Sequence, residues 1–441
     1  MTQITGEGGP AHRPALSRLI GISAPEFADD YWGTKPLLTA ADGHVRANDP
    51  GEERPLTGGS QRYDDLFSAD AVDELIARRG IRTPFIRMAT EGQVLPAIRF
   101  TGSGGFGAEV GDQVDSAKVF AEFAAGSTIV LQGLHRTWAP LADFTRQLVT
   151  DIGHPCQVNA YVTPAQSRGF DPHYDVHDVF VIQIAGHKRW RIHEPALVDP
   201  LPNEPWSRVR EKVERQASGT PALDETLSPG DVLYLPRGWI HSAVALGSTS
   251  VHLTIGVAAL TRRDLVDLLL ESIDTESLRA SLPLGVGTAD ADALAPEVAD
   301  TIAALTSALS DRAVLAATAD RVRRRVGAST RAEPIDPLKT IDAVAALDAH
   351  SIVRWRLGQS TTLTATADSV VLRRADTDLT FPREAASALA TLARGDSISV
   401  GALPDLDESS AIVVARRLLR EGVLIAALAP RSELLMTEGV S

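Results

Sequence analysis

Residues 171–190, DPHYDVHDVFVIQIAGHKRW, place three histidines and three aspartates on either side of a strongly apolar run. Two geometries could make ligands of them. On a helix, His173 and His177 would share a face, as the two histidines of a zinc protease do. That chemistry also needs a glutamate directly after the first histidine, and here the residue is Tyr174. On a strand, His173 and Asp175 share a face, roughly 7 Å apart along the chain, with Tyr174 turned away. The run VFVIQI after Asp178 is β-branched and aromatic, too short for a buried helix, and ended by Ala-Gly. It is therefore read as a strand covered on both faces, and the helical reading is set aside.

A lysine follows. With a turn at Gly186 and a second strand KRWRIH, alternation groups Lys188, Trp190 and Ile192 on the inward face. An ammonium pointed into a barrel costs several kcal/mol unless an anion meets it. The bland alternative is a lysine that snorkels to the rim or pairs with a structural aspartate. A third ligand is expected from a strand that returns beside the first. LSPGDVLYLPRGWIHSAVAL supplies a Pro-Gly-Asp turn, a buried strand, and His241 where the next strand begins. Two imidazoles and one carboxylate (His173, Asp175, His241) form a facial set with open positions, which suits non-haem Fe(II) acting on oxygen.

The elements that must hold these groups come next. From about 157, short β-rich runs (VNAYVTP, DVFVIQIAG, KRWRIHEP, DVLYLP, SAVAL, SVHLTIGVAAL) alternate with turn residues, a texture of sandwiches and barrels. Ahead of them lie capped amphipathic helices, SAPEFADDYW, SADAVDELIARRG and DSAKVFAEFAAG, then the strand STIVLQGL and the helix PLADFTRQLVTDIG. After LTRRDLVDLLLESI the pattern is helical to about 328, and STRAEPIDP reads as a linker. A hairpin, STTLTATADSVVLRRAD, and two helices close the chain in an order that fits a winged-helix-like module.

Composition sets limits. The 441 residues carry a formal charge of -14, from 57 acidic and 43 basic residues. That balance disfavours general binding to nucleic acid or anionic membranes and permits a basic protein partner. One cysteine, Cys156, rules out an internal disulfide framework and suits a reducing cytoplasm. No export signal or membrane-spanning apolar run is read. Arg416, Arg417 and Arg420 on the last helix are read as a solvated face rather than a DNA contact.

FADDYWGTKPLL, GSTIVLQGLHR, VNAYVTPAQSRGFDPHYDVHDVFVIQIAGHKRWRIHEP and LSPGDVLYLPRGWIHSAVALGSTSVHLTIGV resemble the JmjC/cupin-like 2-oxoglutarate oxygenases, in particular the ribosomal oxygenase group. The resemblance covers about residues 17–260 and extends more loosely to the end of the chain. It implies an α+β chain: a double-stranded β-helix (jelly-roll/cupin, JmjC) core with N-terminal α/β elements, a helical dimerisation region and a C-terminal winged-helix-like domain. The expected division is a disordered tail at 1–16, a catalytic domain at 17–260, the dimerisation region at 261–332 and the winged helix at 333–441. By the same resemblance His173, Asp175 and His241 hold Fe(II), Lys188 binds the distal carboxylate of 2-oxoglutarate, and Asn159 lies near that co-substrate.

The implied activity is oxidative decarboxylation of 2-oxoglutarate coupled to hydroxylation of a side chain, a histidine or arginine of a ribosomal protein, by a cytoplasmic homodimer. Two other readings stand beside it: an oxygenase acting on a peptide or small molecule of a biosynthetic pathway, and a non-oxygenase metal-binding cupin. Two departures are visible. Gly256 stands where some members carry a serine, and the segment 191–228 aligns with nothing familiar. His177, His252 and Tyr161 are each open between core and site-side positions; His187 is read as a turn residue, and Arg237 is placed outside the site.

Overall fold

The computed structural model describes residues 2–3, 13–46, 62–90, 92–107, 109–165, 167, 170–288, 290–359, 361–374 and 377–426. Two compact units divide the chain, one spanning 11–259 and the other taking in 1–10 and 260–441.

The first unit is built on a nine-stranded antiparallel sheet. Its strands are β1 (Leu37–Thr39), β2 (Ile86–Thr90), β3 (Gln93–Val94), β4 (Thr128–Leu131), β5 (Cys156–Thr163), β6 (Asp178–His193), β7 (Leu223–Leu227), β8 (Val232–Leu235) and β9 (Ile240–Val257). They run in the order β1-β8-β6-β9-β5-β4-β2-β3, with β7 on the second half of β6. Five of the eight pairs of strands consecutive in sequence are not neighbours in the sheet. That crossing pattern brings the start of β9 back beside the segment that leads into β6.

The expected turn at Gly186 is not a chain reversal. DVFVIQIAG and KRWRIH form one 16-residue strand, and SAVAL and SVHLTIGV merge into an 18-residue partner. Both long strands change phase at a shared irregularity, where the register slips between Leu246 and Val251. Before the corner Val179 and Val181 face the interior; after it Lys188 and Trp190 do. On β9 the inward set shifts likewise from His241 and Ala243 to His252 and Thr254. An inserted residue swaps the two faces of a strand, so the bulge is what allows both halves to line one cavity.

Gly186 makes the corner possible. Its φ is +64°, and a Cβ there would lie 2.1 Å from the Thr249 carbonyl oxygen. The buried Gln183 amide staples the bend by donating to Ala185 O (2.9 Å), Gly186 O (3.1 Å) and Ser250 Oγ (2.9 Å).

The helices form where capping and apolar spacing place them. Ala69–Arg78 and Ser116–Ala124 are capped by Ser68 and Asp115, which accept backbone N–H groups of their first turns. Ala139–Ile152 ends at Gly153 in the left-handed conformation. Of the tail expected at 1–16, residues 1 and 4–12 lie outside the described residues. Within it, Thr2–Gln3 pair with Ala365 and Thr364, and a helix already starts at Pro14, its Ala15 and Leu16 amides donating to Asp151 at 2.8 and 2.9 Å. The unalignable segment 191–228 holds a helix, Arg210–Ala217, and strand β7.

The second unit holds helices Arg262–Ser272, Ala291–Leu309 and Arg312–Ser329, and then a smaller core around Val353, Val370, Leu389 and Leu418. In that core the helix Glu408–Arg420 turns Arg417 onto Thr380 O (3.0 Å) and over the Phe381 ring. No single helix among the described residues is long and apolar enough to cross a membrane.

Candidate active site

His173 does not sit in a continuous strand, as the alternation argument supposes; β6 begins at Asp178. Its backbone instead forms an isolated antiparallel bridge with His241 (His173 N to His241 O 3.2 Å, His241 N to His173 O 2.8 Å). Residues 68 positions apart are thereby stitched side by side, and the Asp175 carbonyl accepts the Gly238 N–H at 3.0 Å to fix the next turn of chain. One ligand atom each of His173, Asp175 and His241 lies within 4.8 Å of the other two, and His241 Nε2 is 3.8 Å from Asp175 Oδ2.

The tautomers follow from the partners. His173 Nδ1 lies 2.7 Å from Asp171 O and His241 Nδ1 lies 3.1 Å from Trp239 O. A carbonyl only accepts, so each Nδ1 carries the proton and each Nε2 keeps its lone pair for the cluster. Burial, reinforced by His173, drives the His241 imidazole down to about 4 against the pull of Asp175, so it is neutral at physiological pH. Burial pulls the Asp175 carboxyl upward, but His241, His177, His173 and Arg87 outweigh it and leave it below the ordinary carboxylate value. Two imidazoles with free Nε2 lone pairs and one carboxylate, with no second carboxylate in the cluster among the described residues, are a donor set that fits one divalent transition metal.

The cluster opens on a cavity of about 250 Å³. At its far side Lys188 is only 4% exposed, and burial lowers its ammonium to about 7. Its hydrogen-bond partner is a neutral hydroxyl, Thr163 Oγ1 at 3.2 Å, itself 3.5 Å from Thr128 Oγ1. His252 stacks flat on Tyr161 (5.0 Å, 5°) and stands edge-on to Trp190. Burial, then Lys188 and His241, hold its imidazole well below the ordinary value, and its Nδ1 finds no partner among the described residues. The mouth is framed by Phe170 and Trp206, 5.8 and 6.2 Å from the His173 ring, with Arg87 over Phe170.

Of the five residues singled out from sequence, His173, Asp175, His241 and Lys188 line this cavity. Asn159 is on the same strand face as Tyr161 and Thr163 but does not line it; its Oδ1 accepts the Gly133 N–H at 3.0 Å. Tyr161 and His252 do line it, whereas Arg237 is engaged outside, with Asp199 and, through its amide, Asp178. His177 packs over Gly256, where a Cβ would come within 2.6 Å of its ring. Sequence reasoning missed Thr128, Thr163, Phe170, Trp206 and Arg87. The period-2 spacing of Tyr161 and Thr163 was a usable signal for the second of these; the others come from separate segments with no shared pattern.

The family comparison matches residues 137–265 to the profile described as JmjC domain. Over that stretch the chain resembles the JmjC proteins. Over 136 residues it is 40% identical to the bifunctional lysine-specific demethylase and histidyl-hydroxylase NO66 of Drosophila persimilis, covering 29% of this chain and 19% of that protein. The NO66 of Culex quinquefasciatus is 29% identical over 287 residues (62% of this chain, 39% of that protein), and rat ribosomal oxygenase 2 is 42% identical over 117 residues (26% and 23%). The matched stretches thus span well under half the length of these curated relatives.

Among solved structures, the ribosomal oxygenase YcfD of Escherichia coli superposes with a TM-score of 0.51 at 17% identity, covering 93% of this chain and 99% of that one. Its complex with cobalt and succinic acid gives 0.50 at 17% identity, with the same coverage. That likeness is one of fold. By these likenesses the fold is of the JmjC/cupin kind with mixed α and β content.

Proposed function

We propose that the protein is an Fe(II)- and 2-oxoglutarate-dependent dioxygenase that hydroxylates a side chain, a histidine or arginine, of a ribosomal protein. The single observation that carries the reading is the pairing of two features in one small cavity. His173, Asp175 and His241 turn three ligand atoms toward a common point, and Lys188 offers a buried ammonium that meets a neutral hydroxyl and the Trp190 ring but no carboxylate among the described residues. A metal cluster alone suits many cupins. The unsatisfied cation calls for an anionic end on the co-substrate, which speaks against a non-oxygenase metal-binding cupin.

In this reading His173, Asp175 and His241 would hold the iron and Lys188 the distal carboxylate of 2-oxoglutarate. Bound iron would supply oxygen activation coupled to decarboxylation of 2-oxoglutarate to succinate. The chain's own work is placement. Asp171 and Trp239 carbonyls fix both imidazoles in the ligating tautomer, and the Thr128–Thr163 hydroxyl pair orients the ammonium. Tyr161, His252 and Trp190 wall the cavity with rings and keep bulk water from it. Asn159 acts one step back by pinning the Gly133 turn under β5.

The relatives named as histidyl-hydroxylase and ribosomal oxygenase support a ribosomal target, as does the acidic balance of this chain. The YcfD structure with cobalt and succinic acid supports the co-substrate. We read the rest of the chain as a helical dimerisation region at 261–332 and a winged-helix-like domain at 333–441, in a cytoplasmic homodimer that binds no nucleic acid or membrane.

The test is iron- and 2-oxoglutarate-dependent succinate formation, with mass spectrometry of ribosomal proteins from a strain lacking this protein to find the lost oxygen atom. His173→Ala and Asp175→Ala should each abolish turnover. Undiminished succinate formation by either variant sinks the assignment of the site, and unchanged ribosomal proteins sink the assignment of the substrate.

A further inference from the structure

A second, larger cavity of about 770 Å³ lies on the opposite side of the strands that wall the active site. Its floor is Ile129, Val162 and Val251, next in sequence to Thr128, Thr163 and His252, which face the metal cluster. Its walls are the helices Ala69–Arg78 and Ser116–Ala124.

The second helix presents Ser116, Val119, Phe120 and Phe123 to this trough, at the i, i+3, i+4, i+7 spacing that marks a face meant to be covered. Only Val119 is buried, and Phe120 remains 71% exposed. The facing helix contributes Val72 and Ile76 below and Asp70 and Asp73 on the rim. Neither rim carboxylate has an ion-pair partner among the described residues, whereas Glu74 is taken by Arg79 at 2.7 Å. Arg78 is the one cation among the described lining residues.

We propose that this trough is a docking site for a basic amphipathic helix of a partner protein, seated with its apolar face on Phe120 and Phe123 and its cations against Asp70 and Asp73. The form fits: two helices over a sheet wall a partly apolar trough, and an exposed aromatic is the usual anchor of such a contact. The sign of the rim decides between occupants. Segment 47–61 carries Asp49, Glu52 and Glu53 against Arg54 alone, the wrong charge to sit beside two free carboxylates. An anionic membrane surface is disfavoured on the same ground. The site is independent of the proposed hydroxylase activity, because no lining residue of the trough lines the catalytic cavity.

The experiment uses the full chain and two fluorescein-labelled probe peptides, a leucine/lysine amphipathic helix and its leucine/glutamate counterpart, read by fluorescence anisotropy. The leucine/lysine peptide should bind the wild type in a salt-sensitive manner, with affinity reduced at least tenfold by Phe120→Asp and by the surface pair Asp70→Lys/Asp73→Lys. The leucine/glutamate peptide should bind at least tenfold more weakly. Equal binding by wild type and the Asp70/Asp73 variant, or equal binding of both peptides, overturns the proposal without dependence on the fold of Phe120→Asp. A change of oligomeric state with Phe120→Asp in sedimentation would assign the trough to a second copy and overturn it. So would a tenfold gain in peptide affinity when 47–61 is replaced by a Gly/Ser linker, which would assign it to the chain itself.

Discussion

Replacing Lys188 by methionine should make the metal-free protein more stable while destroying its affinity for 2-oxoglutarate. The ammonium falls from 10.5 to about 7 because burial penalises its charge. At about 1.4 kcal/mol per pH unit, and with the group half ionised near neutrality, keeping this lysine in the cavity costs about 4 kcal/mol. Methionine has a similar reach and no charge, so most of that cost is recovered; losing the Thr163 contact returns about 1 kcal/mol. The expected net gain is about 2–4 kcal/mol, a rise on the order of 5–10 °C in the melting temperature of the unit that carries the site.

The sign of the pH dependence is fixed. A base whose folded pKa is depressed is equally stable in both forms above its unfolded value of 10.5 and loses stability as pH falls toward 7. Near pH 10.5 only the lost Thr163 contact should remain, leaving the variant about 1 kcal/mol the less stable; the gap should then turn in the variant's favour, widen down to about 7, and stay level below it. Thermal melts of the metal-free proteins across that range read the gap directly. A variant less stable than wild type at neutral pH, or a gap independent of pH, would refute the claim that this lysine waits as an uncompensated buried cation.

Three further substitutions probe the frame around the site. Gly256→Ser should cost about 1–3 kcal/mol, because its Cβ would fall within 2.6 Å of the His177 ring, and a second change, His177→Ala, should restore most of the loss. Denaturation of both single variants and the double variant measures that coupling. Gly186→Ala meets the Thr249 carbonyl at 2.1 Å and a left-handed backbone, so it should lower soluble yield and stability sharply, by about 3 kcal/mol or more, with loss of co-substrate binding as Lys188 turns off the inward face. Asp178→Ala strands the Arg237 amide (2.8 Å) and the Tyr234 hydroxyl (3.2 Å) in the buried base of β6, and urea titration should show a loss of about 2–4 kcal/mol.

Much of the cavity was legible from local pattern. HxD, an inward lysine and a histidine after a Gly-bearing turn are each defined within a few residues, and strand alternation alone puts Lys188 beside Trp190 and apart from Arg189, which is instead held by Asp224 at 2.6 Å. The capped helices were equally readable, since a capping side chain and an apolar stripe are both local facts. What failed was continuity. Gly186 looked like a chain reversal because glycine between apolar runs is the mark of a turn. Its left-handed φ here bends a strand that keeps pairing on both sides, held by Gln183, whose three acceptors lie across the corner on two strands.

By itself the sequence determined which side chains could do chemistry: a mixed imidazole–carboxylate donor set, a lysine in an apolar run, and an acidic chain with one cysteine. Those follow from residue type and short-range periodicity, which the backbone geometry of a strand or helix turns into faces. The tertiary structure alone decided that His173 and His241 stand side by side, that Thr163 is the lysine's partner, and that Asn159 holds a turn instead of lining the cavity. Each of these depends on which strands become neighbours, which the chain's crossovers decide, and for Lys188 also on the phase past Gly186, which the register slip sets.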